Sequence, residues 1–120
     1  MSLLIVESDD EIRDMLQWAF ASAGVESETV DDGRRAVAWL EHCRPSAVIL
    51  DLSLPYGGSD AVTERLQALY GPEVPLITMS ADARRRESGA TGARAMCFEK
   101  PFDVVRLVDT VSGMVCSFPH

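Results

Sequence analysis

Residues 47–51 read Ala-Val-Ile-Leu-Asp, and this stretch decides the fold. Four consecutive apolar residues are typical of a strand buried on both faces, as strands of parallel sheets are. The run ends at Asp51, and a turn-forming segment, Pro55 to Ser59, follows shortly after it. We therefore predict a central strand, β3, that ends on an acidic residue at one edge of the sheet.

Similar apolar runs occur on both sides of β3. Leu3 to Val6 predicts a first buried strand, β1, and Pro75 to Met79 predicts a fourth, β4. Two weaker segments predict edge strands, because β2 (Val25 to Val30) is half polar and β5 (Met96 to Phe98) is short.

Helical patterns separate the strands, and five helices are predicted from apolar spacing, caps and breakers. In chain order, α1 ends at Gly24, α2 follows a cap at Asp31 or Asp32, α3 runs from Asp60 to Gly71-Pro72, α4 spans about 82–91, and α5 follows a cap at Asp103. The predicted inward-facing residues are Ile12, Met15, Leu16, Ala19, Phe20 and Ala23 in α1, Ala36, Val37 and Leu40 in α2, Val62, Leu66 and Leu69 in α3, and Val104, Leu107, Val108, Val111 and Val115 in α5.

Five βα units predict a parallel sheet with helices on both faces. The buried strands belong in the centre and the weaker strands at the edges, which favours the order 2-1-3-4-5. We expect a flavodoxin-like (βα)5 three-layer sandwich that forms one domain over residues 1–120. Ligands of such sheets bind at the carboxyl ends of the strands, where β1 and β3 diverge.

Composition argues against several classes of protein. The net charge is −8, which opposes binding to nucleic acid. No apolar run is long enough to span a membrane and no signal peptide is apparent, so a cytoplasmic location is expected. The cysteines lack the spacing of a disulfide framework or a zinc site; they are Cys43, Cys97 and Cys116.

Polar residues follow four of the predicted strands, and the fold brings them to one edge. They are Glu7, Ser8, Asp9 and Asp10 after β1, Asp51 after β3, Ser80 after β4 and Lys100 after β5. Clustered carboxylates suit Mg²⁺, and a carboxylate can attack phosphorus to give an aspartyl phosphate. A hydroxyl and an ammonium group would then bind the phosphoryl oxygens.

Four motifs resemble response-regulator receiver domains, and the resemblance covers essentially the whole chain. They are Leu4-Ile5-Val6-Glu7, Val48-Ile49-Leu50-Asp51-Leu52-Ser53-Leu54-Pro55, Ile77-Thr78-Met79-Ser80-Ala81 and Glu99-Lys100-Pro101-Phe102. The resemblance implies that Asp51 is phosphorylated with Mg²⁺ by a histidine kinase or a phosphotransfer protein. It also implies that Ser80 is the switch hydroxyl and Lys100 the phosphate partner, and that Glu7, Asp51 and the backbone of Ser53 bind the metal.

The β1 loop departs from the family pattern, which has two adjacent acids with the second on the metal. An ungapped register puts Glu7 at the first position and Ser8 at the second. A shift that used Asp9 would rotate α1 by about 100° and turn its apolar face away from the core. A local adjustment could still bring Asp9 or Asp10 to the metal, and Ser8 could offer its hydroxyl or hold a metal-bound water. We favour Asp9 as the cap of α1. Because Ser8 replaces one of the two acids, our hypothesis is that the site binds Mg²⁺ weakly.

The second departure lies on β5, where the family has an aromatic residue three positions before its lysine. Here that residue is Cys97, with Phe98 beside it, so either the strand is shifted or the aromatic switch is absent. The resemblance further implies that the face formed by α4, β5 and α5 binds a downstream protein. A homodimer is also compatible with the sequence, which does not determine the oligomeric state. A receiver that catalyses at most its own phosphorylation is expected rather than an enzyme.

Two alternatives remain. One is a pseudo-receiver that binds partners without phosphorylation, which Ser8 and Cys97 favour. The other is a small α/β enzyme or flavin-type binder, which the acidic loop after β1 opposes because a glycine-rich phosphate loop is missing there.

Overall fold

The computed structural model describes residues 2–54, 57–80, 95–99 and 104–116. Strands and helices alternate along them, as the sequence predicts. The strands are β1 (Leu3–Val6), β2 (Ser27–Val30), β3 (Val48–Asp51), β4 (Leu76–Ser80) and β5 (Ala95–Glu99). The helices are α1 (Asp10–Ser22), α2 (Gly33–His42), α3 (Gly58–Tyr70) and α5 (Val104–Cys116), with a single 3-10 turn at Gly71–Glu73. The predicted α4 and the predicted cap at Asp103 lie outside the described residues.

The strands form one parallel sheet in the order β2-β1-β3-β4-β5, which confirms the predicted topology. Val6 pairs with Leu50 in the register of β1 and β3. Asp51 pairs with Met79 in the register of β3 and β4. The sheet therefore brings the ends of its three central strands to the same edge.

Apolar residues cover both faces of the sheet and divide into two clusters. One joins alternate strand residues, such as Leu3 and Ile49, to α1 and α5. The other joins the intervening residues, such as Leu4 and Leu50, to α2 and α3. Because successive strand residues point to opposite faces, the continuous apolar runs of β1 and β3 supply both clusters.

Side-chain caps and a glycine set the limits of the first two helices. The Asp9 carboxylate accepts hydrogen bonds from the backbone of Glu11 and Ile12, which confirms Asp9 as the cap of α1. Asp32 rather than Asp31 caps α2, accepting from the backbone of Arg35. Gly24 follows α1 with a φ of 81°, a conformation that glycine adopts at little cost.

Three predicted inward-facing residues lie at the surface instead. Met15 is 39% exposed and Leu69 is 37% exposed, and Ala23, at the end of α1, is also exposed. In α1 the fully buried side chains are Leu16 and Phe20. The apolar residues of these helices thus occupy a wider face than the part that packs against the sheet. The side chain of Val115 lies outside the part of the chain that the structure describes.

Two helix starts pack unusually closely. A Cβ atom added to Gly33, at the start of α2, would lie 2.6 Å from the Cα of Gly58 at the start of α3. Glycine at both positions therefore lets the two helices approach beside the carboxyl edge of the sheet. Helix α3 also begins at Gly58 rather than at the predicted Asp60, so Ser59 belongs to its first turn.

Candidate functional site

The register of β1 and β3 brings two carboxylates to the same edge. Glu7 and Asp51 directly follow the paired residues Val6 and Leu50, and facing residues of neighbouring strands lie about 5 Å apart. Glu7 is 0% exposed and Asp51 is 1% exposed. Buried carboxylates are costly unless their oxygens have partners, so this pair is a candidate for a functional site rather than part of a solvated surface.

Two serine hydroxyls bind the Asp51 carboxylate, one at each of its oxygens. Ser53 donates to Oδ1 through both its backbone N–H, at 2.9 Å, and its hydroxyl, at 2.8 Å. Ser8 donates its hydroxyl to Oδ2 at 3.3 Å. Both serines are exposed, whereas Asp51 is buried. Each oxygen of the Asp51 carboxylate therefore accepts a hydrogen bond from the hydroxyl of an exposed serine.

The backbone of Asp51 is also held in place. The hydroxyl of Ser59 donates to the Asp51 carbonyl at 2.7 Å, and Ser59 is itself buried. The next residue, Leu52, donates its N–H to the carbonyl of Met79 on β4 at 2.9 Å. These bonds fix the end of β3 to α3 and to β4.

The loop after β1 is ordered by local hydrogen bonds. Asp9 donates its N–H to Glu7 Oε2 at 3.2 Å, and its carboxylate caps α1. Arg13 reaches back from α1, donating to the Glu7 carbonyl at 3.0 Å and pairing with Asp10. The loop therefore places Glu7 and Ser8 at the site, as the ungapped register predicts, and engages Asp9 at the helix end.

The remaining predicted residues lie on β4 and β5. Ser80 is 1% exposed at the end of β4, one position beyond the strand partner of Asp51. Lys100 lies outside the described residues. On β5 the backbone pairs Thr78 with Cys97 and Met79 with Phe98. This pairing does not decide between the two predictions for β5, a shifted strand that uses Phe98 or an absent aromatic switch at Cys97.

The donor set consists of hard oxygen atoms. Within residues 2–54, 57–80 and the other described segments, no three His, Cys, Asp or Glu side chains form a metal-binding group. Mg²⁺ characteristically uses one or two protein carboxylates and keeps several waters. The Glu7 and Asp51 carboxylates, buried at the ends of neighbouring strands, supply two such ligands and therefore fit this ion.

Sequence reasoning missed two residues that shape the site. Ser59 was taken as part of a turn-forming segment, because nothing in a Gly-Gly-Ser-Asp run indicates a bond to a residue eight positions earlier. Arg13 has no sequence signal that indicates its role, which is to tie α1 to the β1 loop through its side chain. For Ser59, the one available signal is a serine directly before the predicted start of α3.

Comparison with known proteins identifies the family. A family model for the response regulator receiver domain matches residues 3–112, so the chain belongs to this family. Receiver domains are signalling domains of two-component systems, and this family binds Mg²⁺ at its active site.

Curated relatives carry the same domain within longer chains. The regulatory protein AtoC of Escherichia coli is 30% identical over 88% of this chain, which spans 23% of that protein. The DNA-binding response regulator MtrA of Mycobacterium leprae is 28% identical over 91% of this chain, which spans 48% of it. The chain thus spans half or less of these two relatives.

Solved structures of receiver domains superpose closely. A response regulator receiver protein from Burkholderia phymatum is 30% identical with a TM-score of 0.80, covering 97% of this chain and 96% of that one. The receiver domain of a sensor histidine kinase from Pseudomonas aeruginosa is 25% identical with a TM-score of 0.81, covering 96% and 97%. That structure has a magnesium ion coordinated in the active site cleft.

None of the helices in the described part of the chain has the length and apolar character needed to cross a membrane.

Proposed function

We propose that this receiver domain, over residues 1–120, accepts a phosphoryl group on Asp51. The observation that carries the proposal is the setting of Asp51, which is buried at the end of the central strand and hydrogen-bonded by the exposed Ser8 and Ser53. A structural aspartate at a strand end would be expected to cap a turn with both oxygens. Here the hydroxyl of Ser8, 43 positions away in the chain, also approaches the carboxylate.

The reaction is a transfer to an oxygen nucleophile. An Asp51 oxygen forms a bond to phosphorus as the bond from phosphorus to the donor breaks, and the donor leaves with that electron pair. Little covalent chemistry is required of the protein, so positioning and charge stabilisation supply most of the catalysis. Ser53 orients the carboxylate, and Ser59 fixes the backbone that carries it.

Glu7, Asp51 and the backbone of Ser53 would hold Mg²⁺, which supplies positive charge for the phosphoryl oxygens when bound. Ser8 takes the place of a further direct carboxylate. A pair of charges about 4 Å apart near a protein surface interacts by about 4 kcal/mol, so this loss should weaken binding by roughly 1–4 kcal/mol. Affinity for Mg²⁺ should then be several-fold to about 1000-fold lower than with an acid at position 8.

Ser80 and Lys100 complete the proposed phosphate site. The Ser80 hydroxyl, at the end of β4, would donate to the phosphoryl group once it has formed, and the Lys100 ammonium would pair with it. The phosphoryl group adds about −1.5 to −2 charges, which is enough to reorder nearby loops. The corresponding proposal is that a downstream protein binds the face formed by α4, β5 and α5.

The proposed partners follow from the family. A histidine kinase or a phosphotransfer protein would donate the phosphoryl group, and a downstream protein would read the result. The domain acts in the cytoplasm, catalyses at most its own phosphorylation and dephosphorylation, and does not itself bind nucleic acid, in keeping with its net charge of −8.

Intact-mass spectrometry after incubation with acetyl phosphate and saturating Mg²⁺ tests this function. We expect one phosphoryl adduct on the wild type and none on Asp51→Asn. A folded wild type without an adduct would contradict the proposal and favour the pseudo-receiver.

A further inference from the structure

Ser8 makes a contact that the loss of an acid does not by itself predict. A serine at this position could have turned to solvent, because the residue is exposed. Its hydroxyl instead donates to Oδ2 of Asp51 at 3.3 Å, across the gap between the β1 loop and β3.

The neighbouring acids of the loop are committed elsewhere. Asp9 uses one carboxylate oxygen to accept from Glu11 and Ile12 at the start of α1, and Asp10 pairs with Arg13. Ser8, in contrast, donates to Asp51, at the carboxylate oxygen that Ser53 does not bind.

We propose that Ser8 is a positioning residue that allows Asp51 to be phosphorylated with a reduced requirement for a divalent cation. This inference rests on the proposed function and deepens it. The Ser8 and Ser53 hydroxyls hold the two oxygens of the Asp51 carboxylate, so its orientation is set before any cation binds.

The chemistry at position 8 supports a reduced dependence on the cation. Serine is neutral, so an approaching phosphoryl donor meets one negative charge fewer than with an acid there. A hydroxyl can also rotate, so the Ser8 O–H can turn from Asp51 to a phosphoryl oxygen as the Asp51 oxygen–phosphorus bond forms. With acetyl phosphate, the bond from phosphorus to the acetate oxygen breaks and acetate leaves as an anion. The step needs no added proton or redox partner.

The test compares phosphorylation rates of the full chain with acetyl phosphate in excess EDTA and in saturating Mg²⁺. We expect Ser8→Ala to lower the metal-free rate about 2- to 10-fold relative to the Mg²⁺ rate, which is the size of one neutral hydrogen bond. Ser8→Thr keeps the hydroxyl and should restore the wild-type ratio. Ser22→Ala, which removes an exposed serine hydroxyl on α1, is the matched control and should leave the ratio unchanged.

Titration calorimetry with Mg²⁺ supplies a readout that does not depend on phosphorylation. Ser8→Asp should bind Mg²⁺ at least several-fold more tightly than the wild type while losing its metal-free rate, because the new carboxylate attracts the cation and repels the donor.

The outcomes separate this inference from the function on which it rests. The ratio of the metal-free rate to the Mg²⁺ rate could be the same in Ser8→Ala and in the wild type. That result would overturn the role of Ser8 and leave the proposed function standing. Equal Mg²⁺ affinity in Ser8→Asp and wild type would also overturn it. A wild type that forms no adduct even in saturating Mg²⁺ would overturn both.

Discussion

The hydroxyl of Ser59, in the first turn of α3, donates a 2.7 Å hydrogen bond to the backbone carbonyl of Asp51. The bond is buried and joins a helix start to the end of the central strand. It therefore ties the candidate phosphoacceptor to α3, whose start packs in turn against α2.

Replacing Ser59 by alanine should lower the free energy of unfolding by about 1–3 kcal/mol, because the Asp51 carbonyl loses a buried donor. Urea denaturation measures this change. Ser22→Ala is the control, since its hydroxyl bonds to the Trp18 carbonyl at an exposed position, and it should cost less than about 0.5 kcal/mol. Equal effects of the two variants would contradict a structural role for Ser59.

Replacing Gly33 by alanine should destabilise the protein by about 1–3 kcal/mol, because the new methyl group would overlap the backbone of Gly58. Thermal unfolding followed by circular dichroism measures the effect. Gly113→Ala offers a matched control on α5, where an added Cβ meets no atom within 4 Å. That variant should gain up to about 1 kcal/mol from helix propensity. A stabilised Gly33→Ala would show that α2 and α3 are not held this close.

Replacing Asp9 should separate its helix cap from any role at a metal. Asp9→Ala should cost about 0.5–2 kcal/mol of stability, whereas Asp9→Asn should keep most of it, because asparagine also caps helices. Neither variant should change Mg²⁺ affinity in calorimetry by more than about twofold, since loss of a direct ligand would cost far more. A tenfold loss of affinity in Asp9→Asn would place this carboxylate on the metal.

Much of the fold could be predicted because its signals are local. Apolar runs predict β1, β3 and β4, and their alternation with helices predicts a parallel sheet. The contrast between buried and weaker strands predicts the strand order, which the structure confirms. The buried faces of the helices were predicted less accurately. The spacing of apolar residues shows which of them can face inward, but not how wide a face the sheet covers. Met15 and Leu69 lie outside the covered face and are exposed.

The candidate site was predictable in position more than in detail. The ends of the strands located Glu7, Asp51 and Ser80, since parallel strands bring their carboxyl ends together. The contact from Ser8 to Asp51 could not be predicted, because it depends on how two loops meet. The approach of Gly33 to Gly58 depends on packing in the same way, and glycine alone does not indicate its cause.

The most direct test of the central claim is to locate the phosphoryl group on the chain. The phosphorylated protein is reduced with sodium borohydride, which converts an aspartyl phosphate to homoserine, and is then digested and sequenced by tandem mass spectrometry. We predict homoserine at position 51 and unmodified aspartate at Asp9, Asp10 and Asp60, which lie exposed at the same edge. Homoserine at one of those exposed positions, or its absence from position 51, would contradict the account.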